Sequence, residues 1–239
     1  MVNQRASRLF AFSTRFFFLF HLGISTFGFP RLPNLNFCTH TTMASRPPTT
    51  KRSTATPYTL PVERQPCTID PTAVVADKAT IIGTFPVEIA EHAVIHPYAR
   101  IRAEGGRVTI GPYCVIAETA IVGLPEGQRG DVVLDRHVSV ESGAEVLAKH
   151  VGEVTEVGVH ARIEAGATVG RFCRLTPTEV VLAGEQVEDF TVVFGDGQRR
   201  RDKTIVESGE IQKQRVKAQE KYVEVLKKLI VDGKSKWTD

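Results

Sequence analysis

The chain has 239 residues, 42% of them hydrophobic, with 30 basic and 27 acidic residues and a formal net charge of +3. That size and apolar content support one domain with a full core, and so mild a charge gives no footprint for nucleic acid. The four cysteines, Cys38, Cys67, Cys114 and Cys173, show no CxxC pair, which argues against a disulfide scaffold or a cysteine zinc site.

Residues 1–42 form a basic, apolar N-terminal extension. It holds Arg5, Arg8, Arg15 and Arg31 and no acidic residue, and its apolar run FFFLFHLGI (Phe16–Ile24) is short for a membrane span. One reading is a signal peptide or a mitochondrial presequence. The preferred one is an extension absent from the functional protein, because Met43-Ala44-Ser45 makes a normal start. Without those four arginines the remainder carries 26 basic and 27 acidic residues, a net charge of −1. Residues 43–66 are rich in Pro, Ser and Thr and read as a disordered lead-in. Ser53 or Thr56-Pro57 could be phosphorylated there, as in any such tail.

From Ile69 to about Gly195 a six-residue beat takes over. Aliphatic anchors recur at Ile69, Val75, Ile81, Ile89, Ile95 and onward to Val187 and Val193. Four positions after most of them sits a small residue, as at Ala73, Ala79, Ala93, Ala99, Cys114 and Cys173. One hexad cannot bury its own aliphatic side chain, but stacked hexads can, in continuous internal ladders. Three hexads make a triangular coil of about 18 residues, so residues 67–198 predict a parallel β-helix of about seven coils. Its left hand comes from the hexapeptide class, not from the period. Cys114 and Cys173 fall in the small-residue register and read as buried free thiols.

Breaks in the beat mark local departures. The eight-residue step from Ile81 to Ile89 predicts a bulge at Thr84-Phe85-Pro86, and Gly105-Gly106 a turn in the nine-residue step from Ile101 to Ile110. The polar stretch GLPEGQRGDV (Gly123–Val132) predicts a loop projecting from the coil. Val146 to Val151 is a five-residue slip. Outward positions at Val74, Val94, Val115 and Ile121 predict exposed apolar stripes on which a second β-helix could pack.

After Gly197 the beat ends. Residues 199–207 read as a basic linker around Arg199-Arg200-Arg201. Residues 208–232 predict a C-terminal α-helix, with Ser208 as N-cap and Asp232-Gly233 as stop, and 233–239 a tail. Ile211, Ala218, Tyr222, Val225, Leu226, Leu229 and Ile230 share an apolar face at helical spacing, and Glu220, Glu224, Lys227 and Lys228 pair along the helix. This helix is expected to pack along the solenoid as a cap, with docking of a partner subunit as the companion role.

The histidines outside the extension are His92, His96, His137, His150 and His160. A hexapeptide acyltransferase would use one as general base, and a carbonic-anhydrase-like enzyme would place three around zinc between subunits. His92 and His96 fall near one corner. His137 and His160, 23 residues apart, form the best available metal pair, but no third ligand is evident, and His160 reads better as an exposed outer-face residue. Gly195-Asp196-Gly197 lacks the strand–turn–helix context of a nucleotide loop. No catalytic, cofactor-binding or metal residue is therefore assigned, and no cofactor is expected.

The segment from Ile95-His96-Pro97-Tyr98-Ala99-Arg100-Ile101 to Glu104-Gly105, followed by Ile110-Gly111 to Ile121, resembles the dynactin subunit 6 family. So does Thr178–Arg200, TEVVLAGEQVEDFTVVFGDGQRR, which is similar to that family's closing coil. The likeness spans about residues 67–231. Two features depart from that family: the GLPEGQRGD loop is this chain's own, and Leu182-Ala183-Gly184 stands where a proline turn is expected. The resemblance implies a non-catalytic subunit of the dynactin pointed end, in the cytoplasm and cytoskeleton. Its partners would be dynactin subunit 5 (the sister β-helix), a dynactin subunit 4-like protein and the pointed-end actin-related protein. Together they cap the actin-like filament, and cytoplasmic dynein is reached indirectly for microtubule-based transport and cargo attachment. Nucleic acid and membrane insertion are not expected. The rivals are a mitochondrial carbonic-anhydrase-like zinc protein and a hexapeptide acyltransferase, the latter a homotrimer binding acyl-coenzyme A.

Overall fold

A computed structural model describes residues 66–237, all within one compact unit, Tyr58–Asp239. The readings of 1–42, of Ser53, Thr56 and Cys38, and of most of 43–66 lie outside the described residues. The hexads build a left-handed parallel β-helix with three flat faces. Face A stacks seven strands from Cys67–Ile69 to Gln186–Val187. Face B stacks seven from Val74–Val75 to Thr191–Phe194, and face C six from Thr80–Gly83 to Val180–Val181. That makes six full turns and a partial seventh, slightly under the seven expected. Register follows the beat: Ile69 pairs with Ile89, Ile89 with Ile110 and Ile110 with Leu134.

Each strand turns one side chain inward and the next outward. The anchors Ile81, Ile95, Ile101, Ile110, Ile116, Leu134, Ile163 and Leu175 are fully buried in one continuous core. The small-residue register is buried as well, Ala73, Ala93, Ala99 and Ala120 completely. A larger side chain there would collide with the coil above. Cys114 and Cys173 fit because each thiol donates to a carbonyl, Cys114 to Asp135 at 2.9 Å and Cys173 to Glu188 at 3.0 Å. Burial pushes the Cys114 thiol up to about 12 and that of Cys173 up to about 11, so both stay protonated and inert.

From the second coil on, the corner residue before the small position takes a left-handed backbone. Between faces A and B these are His92, Tyr113, His137, Val154, Phe172 and Phe190, with φ between 52° and 59°. A β-branched residue there is uncommon, yet the coil geometry imposes it on Val154. Their side chains stack up the edge of the solenoid: Tyr113 lies parallel to His137 with centroids 5.2 Å apart, and Phe172 to Phe190 at 5.5 Å.

The Gly123–Val132 loop does not simply project. It folds back on the preceding coil, where Gly130 N–H donates to Gly105 O and Gly105 N–H to Leu124 O. A Cβ on Gly105 would collide with the Gln128 carbonyl, and one on Gly106 with that of Gly130. The Gly105-Gly106 break is thus the seat for this loop. The Thr84-Phe85-Pro86 bulge is present, with the Thr84 and Phe85 N–H groups both donating to Ala103 O.

The C-terminal segment differs most from expectation. Residues 199–207 are not a linker: Gln198–Arg201 pairs antiparallel with Thr191–Phe194 on face B, and Lys203–Glu207 forms helix α1, capped by Asp202. Helix α2, Gly209–Leu229, starts at the Ser208 N-cap as expected. It packs along the solenoid as expected, but on face B and not over the open end. Val223 and Leu226 bury against Val94 and Val115, while Ile205, Ile211 and Val216 pack on the corner residues Val154, Phe172 and Phe190. The expected apolar stripe at Val74, Val94 and Val115 is therefore not an open face. Val94 is 0% exposed because the chain covers it with its own helix. Beyond α2 the chain returns to the first coil, where Gly233 N–H donates to Val75 O and Trp237 packs on the core.

Candidate functional site

Chemistry-bearing side chains concentrate on face A around the five-residue slip. Leu147 and Ala148 absorb the slip by turning into the core, and the strand His150–Val151 resumes with Val151 inward and His150 outward. Across the ladder, His150 pairs with Val133 and Val151 with Leu134. Asp135 follows Leu134 at the start of the next corner, so its carboxylate sits beside the imidazole. His150 Nε2 lies 3.1 Å from Asp135 Oδ2, both side chains about two-fifths exposed.

The pair stands between two hollows. One, of about 450 Å³, runs past Glu153, Thr168, Arg171 and Asp189. The other, of about 530 Å³, lies under the Gly123–Val132 loop against Leu124, Arg129, Asp131 and Lys149. Arg171 is held at 3.1 Å by Asp189 and at 3.9 Å by Glu153, placing a cation at the rim of the first. When Asp135 accepts from Nε2–H, the Nδ1 lone pair of His150 is left free to take a proton. A carboxylate-oriented imidazole beside an open hollow is the arrangement of a general base.

The other histidines go elsewhere. His137 and His160 are not brought together. Because of the slip, Val154 stacks over His137 on the A–B corner, while His160 stacks over Gly143 on the B–C corner. His160 is exposed, as expected. His137 is only 8% exposed under α2, its Nε2 3.5 Å from Glu220 Oε1, too long for a strong hydrogen bond. Burial lowers its pKa, against an opposing pull from Glu220. His92 lies under the same helix, tilted on Tyr113, and Lys227 Nζ meets its Nδ1 at 2.8 Å. His96 has a buried Nε2 with no hydrogen-bond partner among the described residues, and burial lowers its pKa. No group of three or more His, Cys, Asp or Glu among the described residues is arranged to hold a metal ion.

Asp135 was missed by sequence reasoning. The signal existed: realigning the register across the slip sets His150 beside Val133, two residues before Asp135.

No protein-family profile and no curated protein sequence matches the chain. Solved structures do. A hexapeptide transferase family protein from Anaplasma phagocytophilum is 20% identical with a TM-score of 0.55, covering 69% of this chain and 93% of its own. An N-acyltransferase from Bacillus cereus is 12% identical with a TM-score of 0.43, over 64% of this chain and 91% of its own. The acetyltransferase domain of PglB from Neisseria gonorrhoeae is 20% identical with a TM-score of 0.31, over 57% and 58%. The first likeness establishes the hexapeptide β-helix fold. It also overturns the expectation that the chain is not an enzyme, because the fold read as a scaffold is carried by a hexapeptide transferase.

Proposed function

We propose that this chain is a β-helical subunit of the dynactin pointed-end complex, in the cytoplasm, beside the sister β-helix subunit 5, the subunit 4-like protein and the pointed-end actin-related protein. The observation that supports this most is the resemblance across Ile95–Gly105 and Ile110–Ile121, which includes a departure from the six-residue beat. Gly105-Gly106 interrupts the six-residue beat, so generic hexapeptide likeness does not account for it. The architecture suits the role: face B is sealed by α2, and faces A and C remain rigid surfaces for neighbours.

A second reading, acyl transfer, is favoured by the His150–Asp135 pair and by the transferases among the structural neighbours. Here His150 Nδ1 would take the proton from an acceptor hydroxyl or amine as it attacks the thioester carbonyl of an acyl-coenzyme A. The thiolate would leave with that proton, giving ester or amide and free coenzyme A.

One preparation tests both. The chain is tagged at the N-terminal side, because Trp237 packs on the first coil, and isolated from native lysate. Co-purification of the actin-related protein and the sister β-helix supports the pointed-end role. A self-associated trimer lacking them, releasing free thiol from acetyl-coenzyme A in a reaction lost in His150→Asn, supports acyl transfer instead.

A further inference from the structure

Helix α2 carries two apolar seams, and the fold uses only one. The inner seam, Val216, Gln219, Val223, Leu226 and Ile230, alternates steps of three and four and packs on the solenoid. The outer seam is Ala218, Tyr222, Val225 and Leu229, with steps of four, three and four. Tyr222 is 46% exposed, Val225 53% and Leu229 73%. That spacing is the heptad seam by which one helix packs along another. A helix needs one apolar stripe to hold it to its own domain; the second runs along the flank of α2, its Ala218 and Tyr222 bordering a hollow against face B and its Val225 and Leu229 open to solvent.

The charges beside the outer seam say what fits it. On the side away from face B stand Lys217, Lys221 and Lys228, with Glu224 the one acid among them; on the side toward face B stand Arg215, Glu141 and Glu156. We infer that the outer seam of α2 docks an amphipathic helix of a partner protein, one with aliphatic residues at its own seam positions and acidic residues along the edge that meets the lysines. A second copy fits poorly, because an antiparallel two-fold pairing centred on the seam would set Lys221 against Lys228 of the copy, and Lys228 against its Lys221. The chain's own N-terminal segment fits poorly as well, since residues 1–42 hold four arginines and no acid. The inference stands apart from both functional readings and survives the failure of either.

The test uses the full chain and a labelled four-heptad peptide with Leu at both seam positions and Glu at both flanking ones. A Lys-flanked twin and a scrambled version are the controls. Fluorescence anisotropy should show the Glu-flanked peptide binding at least about tenfold tighter than its twin. Leu229→Glu should weaken it about tenfold, as loss of the most exposed apolar anchor of the seam, with an unchanged melting temperature. Lys221→Glu with Lys228→Glu should reverse the preference toward the Lys-flanked peptide, a gain that misfolding cannot produce. Equal binding of the scrambled peptide, or a preference untouched by the charge reversal, overturns the inference. So does sedimentation showing a self-dimer that Leu229→Glu dissolves, or peptide binding that appears only after residues 1–65 are removed.

Discussion

His137 shows how one side chain carries the cost of a covered corner. Its ring is stacked on Tyr113 under α2, and neither nitrogen has a good hydrogen-bond partner. Burial therefore lowers its pKa below the ordinary 6.5, and His96 shares that direction for the same reason. The unfolded chain then binds more protons than the folded one as pH falls below about 6.5, so stability present above that value is lost on acidification. Melting temperatures measured from pH 7.5 down to pH 5 should fall, and His137→Phe should flatten part of that fall. Phenylalanine is the natural test because Phe172 and Phe190 occupy equivalent rungs of the same corner. A variant with the same acid sensitivity as the parent would remove His137 from the account.

At the scale of the element, α2 is held by few residues. Its most buried residues are Val223, fully buried, and Leu226, and Gln219 reaches Ser139 Oγ at 3.2 Å. Val223→Ala should cost about 2 kcal/mol in urea unfolding, from lost burial plus the cavity left behind. Val225→Ala, two residues on but facing water, should cost about 0.5 kcal/mol or less. Equal costs would mean that the outer face is covered in solution. The helical period was legible in the sequence, but only part of its inward side was. Of the apolar face read there, Ile211, Leu226 and Ile230 pack inward, whereas Ala218, Tyr222, Val225 and Leu229 stay exposed. The rotation that buries Val223 and Leu226 also brings Ile211 and Val216 onto the corner residues.

Over the whole molecule, the two open ends are closed by different devices. At the C-terminal end the antiparallel strand Gln198–Arg201 folds back on face B. Glu179, 7% exposed, accepts from Asp196 N–H at 3.2 Å and Gly197 N–H at 2.9 Å, and Arg199 donates to Gln186 O at 3.0 Å on the edge of face A. At the N-terminal end the segment after α2 does the work: Lys234 Nζ donates to Pro71 O at 2.6 Å, and Trp237 lies on the core. Each coil touches only its neighbours, so loss of an end should act locally. Truncation after Leu229 should speed amide exchange in Val74–Val75 and Thr80–Gly83, leaving Arg162–Ile163 and Arg174–Leu175 protected. Uniform acceleration would instead mean that the solenoid unfolds as one unit.

The sequence by itself determined the solenoid, its three-faced register and its buried thiols, because a six-residue period can be satisfied only by stacking each hexad on the next. Ser208 as the start of the last helix was equally local, resting on a side chain that caps N–H groups three residues on. What only the tertiary structure decided depends on contacts between residues far apart in the chain. It folded the Gly123–Val132 loop into the Gly105-Gly106 seat, made the basic stretch 199–207 into a strand and a helix, and spent the face-B stripe on α2. It also set His150 beside Asp135, a pairing fixed by where the slip at Val146 to Val151 leaves the register of face A.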